Sequence, residues 1–101
     1  MISGQKGVAF RDVASGRKGR ALQLLVERYG PGSDTGAESY HHDAEEAGVV
    51  LRGTLELIVD DVVHVLKPGD AYYFDSRRPH RFRNRGRTNV EAISVNSPPS
   101  F

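Results

Sequence analysis

Two short stretches of the sequence contain residue types that could bind a divalent metal ion. Residues 40–46 read Tyr-His-His-Asp-Ala-Glu-Glu, and Pro79-His80 follows more than thirty residues later. Two neutral imidazole nitrogens and one carboxylate, with positions left open, form the facial triad that holds Fe(II) and related divalent ions. The sequence therefore suggests a metal site if the intervening segments bring these side chains together.

Strand geometry decides which of these side chains can point to the same place. Side chains alternate between the two faces of a strand, so Tyr40 and His42 share a face and His41 points the other way. If the chain turns after residues 43–44, Glu46 returns to the face of His42. His41 is therefore a poorer candidate ligand than its neighbour.

His80 is expected to point inward because it shares a strand face with the apolar Phe82. Ionisable groups do not sit in an apolar interior without a partner or a ligand. An interior that receives His42, Glu46 and His80 would contain a metal site or a polar pocket. The alternative is that these histidines lie at the surface or make ordinary hydrogen bonds, as most histidines in small β-domains do.

The elements that must position these residues are predicted to be short strands. No window shows an amphipathic helix of three turns, and apolar runs recur about every ten residues between Gly, Pro and Asp turns. Asp60-Asp61 is a two-residue connection typical of a hairpin. This pattern predicts an all-β sandwich or barrel, with strands at Leu22–Tyr29, Gly48–Leu51, Thr54–Val59, Val62–Leu66, Ala71–Phe74, His80–Arg83 and Val90–Val95.

Length and composition indicate one domain without thiol chemistry. The chain has 101 residues and no cysteine, which excludes disulfides and thiolate metal sites. No apolar run approaches the 18 residues of a membrane span. The first twenty residues lack an apolar signal region, so we expect a cytoplasmic protein. We interpret residues 1–20 as a flexible lead-in, with one short strand around Gly7–Arg11, and residues 21–101 as the barrel.

Charge is unevenly distributed although the net charge is only +1. Residues 76–87 contain six arginines and no acid. Binding of nucleic acid would need an aromatic platform or a groove-entering element beside them, and neither is evident. A strand edge protected by charge explains the pattern better, so we predict no direct nucleic-acid binding by this chain alone.

The order of the motifs resembles the cupin superfamily. The resemblance rests on His42-x3-Glu46-x6-Gly53, then Pro68-x-Asp70, then Pro79-His80-x3-Asn84. Over residues 20–101 the sequence is similar to the C-terminal cupin half of bacterial regulators of the XRE type. The resemblance implies a single-domain jelly-roll β-barrel of six to eight strands.

The resemblance also implies a metal site and its ligands. His42, Glu46 and His80 occupy the ligand positions, and Tyr40 stands where the family has its first histidine. Three ligands remain, with the phenol as a conditional fourth, so a bound Fe, Mn, Ni or Zn ion should be held less tightly than in a four-ligand cupin.

Three functions are compatible with this sequence. The first is a module that binds a small-molecule ligand and reports to a DNA-binding partner, which is the function of the XRE-type relatives. The second is a small metal-dependent enzyme such as a dioxygenase, isomerase or lyase. The third is an assembly role with a vestigial pocket. We favour the sensor module and expect a homodimer, because a small barrel has open sheet edges and symmetric association adds burial.

Overall fold

The described part of the chain forms strands and no helix. The computed structural model describes residues 2–3, 7–14, 16–35 and 44–99. No helix in these residues is long and apolar enough to cross a membrane. The strands are β1 (Ile2–Ser3), β2 (Val8–Val13), β3 (Gln23–Tyr29), β4 (Glu45–Arg52), β5 (Leu55–Val59), β6 (Val62–Leu66), β7 (Ala71–Asp75), β8 (His80–Arg83) and β9 (Val90–Ser97).

These strands form two antiparallel sheets that face each other. The larger sheet has the order β1-β2-β3-β9-β4-β7, and the smaller has the order β6-β5-β8. Neighbouring strands are therefore often distant in sequence, as in β9, which lies between β3 and β4. The all-β class and the strands predicted from residue 22 onward are confirmed, with boundaries shifted by up to three residues.

An apolar core lies between the inner faces of the two sheets. Its buried members alternate along their strands with residues on the outer faces, as the two-residue period of a strand requires. The core consists of Val8, Tyr29, Val50, Leu55, Leu57, Val59, Leu66, Phe74, Phe82 and Val90.

Turn residues fix the pairing of the smaller sheet. Asp60 and Asp61 both have positive φ, at 49° and 65°, which matches the twist that a two-residue hairpin needs between β5 and β6. Gly69 also has a positive φ of 89°, where glycine carries no steric cost. Beside it, Asp70 accepts a hydrogen bond of 2.8 Å from the backbone N–H of Lys67, as expected for an aspartate that closes a turn.

The N-terminal part of the chain contributes to the larger sheet. The short strand expected around Gly7–Arg11 is present as Val8–Val13, and it pairs with β3 along its whole length. Val8 is buried in the core, so this segment covers part of the barrel interior.

Candidate functional site

Two of the four predicted metal ligands fall within the described residues. Tyr40 and His42 lie outside them, as does the alternative His41. Glu46 lies on the inner face of β4 and is 7% exposed. His80 begins β8 and packs against the ring of Phe74, with ring centroids 4.7 Å apart.

Phe74 places Glu46 and His80 in the same region of the interior. Phe74 is the register partner of Glu46 across β4 and β7, so the two side chains lie on one face of the larger sheet. Its ring also contacts His80 from the opposing sheet. The predicted inward orientation of both ligands is consistent with this packing.

Glu46 is a buried carboxyl with one side-chain partner in the described residues. The hydroxyl of Tyr72 donates a hydrogen bond of 2.8 Å to its Oε2. Burial raises the pKa of Glu46 to about 8, and the nearby charge of Glu27 adds to the effect. A divalent cation at this position would replace the missing hydration and favour the ionised carboxylate.

Gly48 creates the space that this hydrogen bond requires. Gly48 and Tyr72 are direct register partners, and a Cβ at position 48 would lie 2.5 Å from the Tyr72 hydroxyl oxygen. The absence of a side chain therefore allows the phenol ring to cross the face of β4 and reach Glu46. This role of Gly48 was not anticipated from its place within the motif.

The geometry of His80 suits a metal ligand. Its Nδ1 lies 2.7 Å from the backbone carbonyl oxygen of Arg78. A carbonyl only accepts hydrogen bonds, so Nδ1 carries the proton, and in the neutral imidazole Nε2 then has the lone pair that a metal ligand needs. Metal-binding histidines commonly have this arrangement, because the outer hydrogen bond fixes the tautomer and the ring orientation.

These observations fit a metal site, although the described residues do not complete one. No group of three or more potential His, Cys, Asp or Glu ligands is assembled within the ranges 7–14, 16–35 and 44–99. The two candidate ligands that the structure describes are Glu46, which is buried on the inner face of β4, and His80, which has a suitable tautomer. The remaining ligand positions proposed from the sequence lie in residues 36–43.

A second buried carboxyl, Glu27, was not identified as a site residue from the sequence. It lies on β3 and is 4% exposed. Its Oε2 accepts a hydrogen bond of 2.7 Å from the Ser94 hydroxyl, and its Oε1 accepts one of 3.2 Å from Tyr29. Burial raises the pKa of Glu27 to about 7, which these two hydrogen bonds partly oppose.

The polar interior extends beyond the two carboxyls toward one end of the barrel. Asn96 is the register partner of both Glu46 and Gln23, and both amide residues are almost fully buried. The Gln23 amide donates a hydrogen bond of 3.0 Å to Asp12. The barrel therefore has a polar end and an apolar end.

A groove leads from the surface to the phenol that binds Glu46. Its volume is about 400 Å³, and it opens between β6 and β7. Tyr72 lines the groove, and its hydroxyl contacts Glu46. The other lining residues are Leu57, Val59, Val62, His64, Leu66, Ala71 and Arg78.

Other residues considered from the sequence have structural roles. Tyr72 and Phe74 face inward and stack at 5.9 Å, whereas Tyr73 is 66% exposed. Asn84 is buried, and its side-chain oxygen accepts a hydrogen bond of 2.9 Å from Gly86 N–H. Asn84 therefore stabilises the turn that follows β8.

The arginines of residues 81–85 have carboxylate neighbours. Arg83 lies 2.5 Å from Glu56, and Arg85 lies 4.0 Å from the same carboxylate. Arg81 lies 3.8 Å from Asp34. These ion pairs reduce the positive field that a nucleic-acid surface would need.

Comparison with known proteins identifies the family. Residues 25–96 match the Cupin_2 family, the cupin domain. The chain belongs to the cupin family. The fold implied by the sequence motifs is therefore confirmed as a cupin barrel.

One curated relative of this cupin is a transcriptional regulator. The HTH-type transcriptional regulator PuuR of Escherichia coli K12 is 34% identical over 98 residues, which cover 97% of this chain and 52% of PuuR. The chain thus spans about half the length of that relative. The resemblance to regulators of the XRE type is confirmed at the level of the cupin domain.

Solved structures support the same fold. The cupin domain of an XRE family transcriptional regulator from Enterobacter cloacae superposes with a TM-score of 0.81 at 20% identity, covering 93% of this chain and 99% of that domain. A sugar phosphate isomerase of the cupin superfamily from Silicibacter pomeroyi gives a TM-score of 0.79 at 22% identity, covering 97% and 67% of the respective chains. At these identities the likeness concerns the fold alone.

Proposed function

We propose that this cupin is a small-molecule-binding module of the sensor type, with a divalent metal ion in the barrel interior. The observation that carries the proposal is the pair of buried carboxyls, Glu27 and Glu46, of which Glu46 is hydrogen-bonded to the groove residue Tyr72. A buried ionised carboxylate costs free energy unless a cation compensates it. The described residues place no ion-pair partner beside either carboxyl, so this interior is suited to a cationic occupant.

The metal would be held by His42, Glu46 and His80, with Tyr40 as a conditional fourth ligand. Two imidazoles and one carboxylate leave coordination positions open, and a metal with open positions can bind an oxygen or nitrogen of a ligand directly. In this proposal, Nε2 of His80 and the carboxylate of Glu46 both bind the metal from the part of the interior beside Phe74. Fe, Mn, Ni and Zn are all compatible with this ligand set.

The organic ligand would enter through the groove between β6 and β7. Leu57, Val59 and Leu66 give the groove an apolar wall, and Tyr72, which also lines it, is hydrogen-bonded to Glu46 in the interior. A ligand with an apolar part in the groove and a polar group near Glu46 would match this division. We further propose that the module acts as a cytoplasmic homodimer and reports to a DNA-binding segment or partner, as suggested by its relationship to PuuR.

Metal binding is the direct test of this proposal. Calorimetric titration with divalent ions should show binding to wild type, tighter binding to Tyr40→His because a fourth imidazole is added, and no binding to His80→Ala. His64→Ala removes a histidine outside the proposed ligand set and serves as the matched control. Unchanged affinity in His80→Ala would refute the ligand assignment, and no gain in Tyr40→His would show that position 40 does not face the metal.

Ligand binding needs a separate test. A thermal-shift screen of organic acids and amines, run on the metal-loaded protein, should produce at least one hit whose shift is reduced by Tyr72→Ala. The absence of any hit would favour the assembly role over the sensor. Elemental analysis of the purified protein would identify the resident metal.

A metal-dependent enzyme is the alternative function. The Tyr72 hydroxyl lies against the proposed ligand Glu46, and Tyr72 is one of the residues that line the groove, so it could donate a proton to a substrate bound there. Its pKa is raised well above 10, chiefly by burial, which makes it a donor rather than a base near neutral pH. Turnover of any compound in the screen that is lost in Tyr72→Phe would favour the enzyme over the sensor.

A further inference from the structure

Two serine hydroxyl groups are buried without a hydrogen-bond partner in the described part of the chain. They belong to Ser33 and Ser76, and Ser76 is 0% exposed. A buried hydroxyl has lost its hydrogen bonds to water, so leaving it unpaired costs free energy. Native structures contain few such groups, and each one requires an explanation.

Ser76 lies on the inner face of the larger sheet, directly after β7. Tyr72 and Phe74 point inward along β7, and strand alternation places Ser76 on the same side. The backbone N–H of Ser76 donates a hydrogen bond of 2.9 Å to the carbonyl oxygen of Ala44, which continues the pairing of β7 with β4 by one residue. The main chain is therefore fixed at this position, and the hydroxyl is the group left without a partner.

The hydroxyl of Ser76 lies in the same part of the interior as the two described candidate metal ligands. Phe74 is the register partner of Glu46 and packs against the ring of His80. Ser76 is two residues further along the chain than Phe74, which makes it the diagonal neighbour of Glu46 on one sheet face, a separation of about 7–8 Å. The three polar side chains therefore lie around one aromatic ring.

The other side-chain donors in this region already have acceptors. The Tyr72 hydroxyl donates a hydrogen bond of 2.8 Å to Glu46. Nδ1 of His80 donates one of 2.7 Å to the carbonyl oxygen of Arg78. Ser76 is the donor that the described residues leave unpaired here, so it is suited to bind an acceptor oxygen of a molecule that enters the interior.

We propose that the Ser76 hydroxyl donates a hydrogen bond to a carboxylate oxygen of the small molecule that binds in this interior. A carboxylate has two oxygens, of which one can occupy an open position on the metal and the other remains to accept a hydrogen bond. A hydrogen bond to an ionised acceptor is stronger than one between neutral groups. This inference rests on the metal site proposed above, and it narrows the ligand class to organic acids, with Ser76 as the residue that recognises them.

Acetate binding to the cobalt(II)-loaded protein is the direct test, because the visible absorption of cobalt(II) changes with its coordination. Ser76→Ala should weaken acetate binding by about tenfold or more, since a hydrogen bond to a charged oxygen is lost. The affinity for cobalt(II) itself should be unchanged, because Ser76 is not a metal ligand. Imidazole binds a metal through one nitrogen and has only an N–H donor left, so it should bind wild type and Ser76→Ala equally well.

Ser33→Ala is the matched control variant. Ser33 also has a buried hydroxyl without a partner in the described residues. Its backbone carbonyl oxygen accepts a hydrogen bond of 2.9 Å from the backbone N–H of Asn84, which follows the end of β8 opposite to His80. Because Ser33 lies at the other end of β8 from the candidate site, its variant should retain the wild-type affinity for acetate.

The stability of the metal-free protein separates a ligand-binding role of Ser76 from a structural one. Ser76→Ala removes a hydroxyl that has no partner, so its Tm in the presence of EDTA should equal or exceed that of wild type. A lower Tm combined with an unchanged acetate affinity would show that Ser76 stabilises the fold, and would overturn the inference.

The same titrations distinguish failure of this inference from failure of the metal site. A wild type that binds no cobalt(II) would refute the metal site and the role of Ser76 together. If cobalt(II) binds but acetate does not, or if acetate binds Ser76→Ala as tightly as wild type, the role of Ser76 alone would be refuted and the metal site would stand.

Discussion

At the scale of single residues, the interior of this cupin is defined by two carboxyl groups with displaced pKa values. The pKa of Glu27 is raised to about 7 and that of Glu46 to about 8, each chiefly by burial. The two groups repel each other when both are ionised. A cation or a proton is therefore needed in this part of the barrel at neutral pH.

Glu27 gives the metal-free protein a specific dependence of stability on pH. Its folded pKa of about 7 exceeds the reference value of 4.5, so the folded state holds a proton that the unfolded state has released. The stabilisation that this bound proton gives to the folded state is fully present below pH 4.5 and is lost as the pH rises to 7. The loss amounts to about 3 kcal/mol of unfolding free energy.

Glu27→Gln should remove that loss. In urea denaturation with EDTA present, the variant should lose less stability than wild type between pH 4.5 and pH 7, because glutamine does not ionise. Glu91→Gln, at an exposed ion pair, should retain the wild-type profile. Parallel profiles for wild type and Glu27→Gln would show that Glu27 does not titrate in this range.

A second prediction at this scale concerns Gly48, whose lack of a side chain leaves room for the ring of Tyr72. Gly48→Ala should destabilise the protein by about 1–3 kcal/mol through overpacking against Tyr72. In a Tyr72→Ala background the same substitution should cost much less, since the clashing atoms are gone. Equal costs in the two backgrounds, measured by urea denaturation, would show that the contact in the structure is not the cause.

At the scale of elements, a hairpin and a strand show what sequence patterns can and cannot predict. Val62–Leu66 and His80–Arg83 were predicted with their observed bounds, because turn residues mark both ends. In β3 both faces contain apolar residues, so alternation alone did not show that Gln23 and Glu27 point inward. Ser94, which donates a hydrogen bond to Glu27, lies on β9 and is 67 residues away in the sequence.

The sequence likewise predicted only part of the candidate site, because some of its contacts depend on the pairing of distant strands. The motif spacing identified Glu46 and His80, and the structure places both against Phe74. No spacing rule could show that Gly48 admits the ring of Tyr72, since that contact depends on the register between β4 and β7. Tyr40 and His42 stay predictions.

The β5–β6 hairpin allows a test at the element scale. Asp61 has a φ of 65°, a conformation that costs a residue with a Cβ about 1 kcal/mol and glycine nearly nothing. Asp61→Gly should therefore be more stable than the matched variant Asp61→Ala by about 1 kcal/mol in chemical denaturation. An advantage for alanine would mean that this turn does not require a left-handed residue.

At the scale of the whole molecule, the larger sheet separates the proposed site from the opposite surface of the barrel. Along β4, Glu46 points to the interior, whereas Ala47 and Val49 point outward. The metal and ligand would bind on the inner side of this sheet. Substitutions on its outer side should therefore leave metal binding intact.

The two faces of the larger sheet should be separable by mutation. A ligand that binds only the folded state raises its stability in proportion to the logarithm of ligand concentration over Kd. Divalent metal should therefore raise the Tm of Ile93→Glu by about as much as that of wild type, because Ile93 lies on the outer face, away from the proposed metal site. Glu46→Gln should lose the metal-dependent rise and remain dimeric, because its side chain lies inside the barrel. Differential scanning fluorimetry with and without metal, together with sedimentation on the same samples, measures both properties. Loss of the metal response in Ile93→Glu would refute the independence of the two faces.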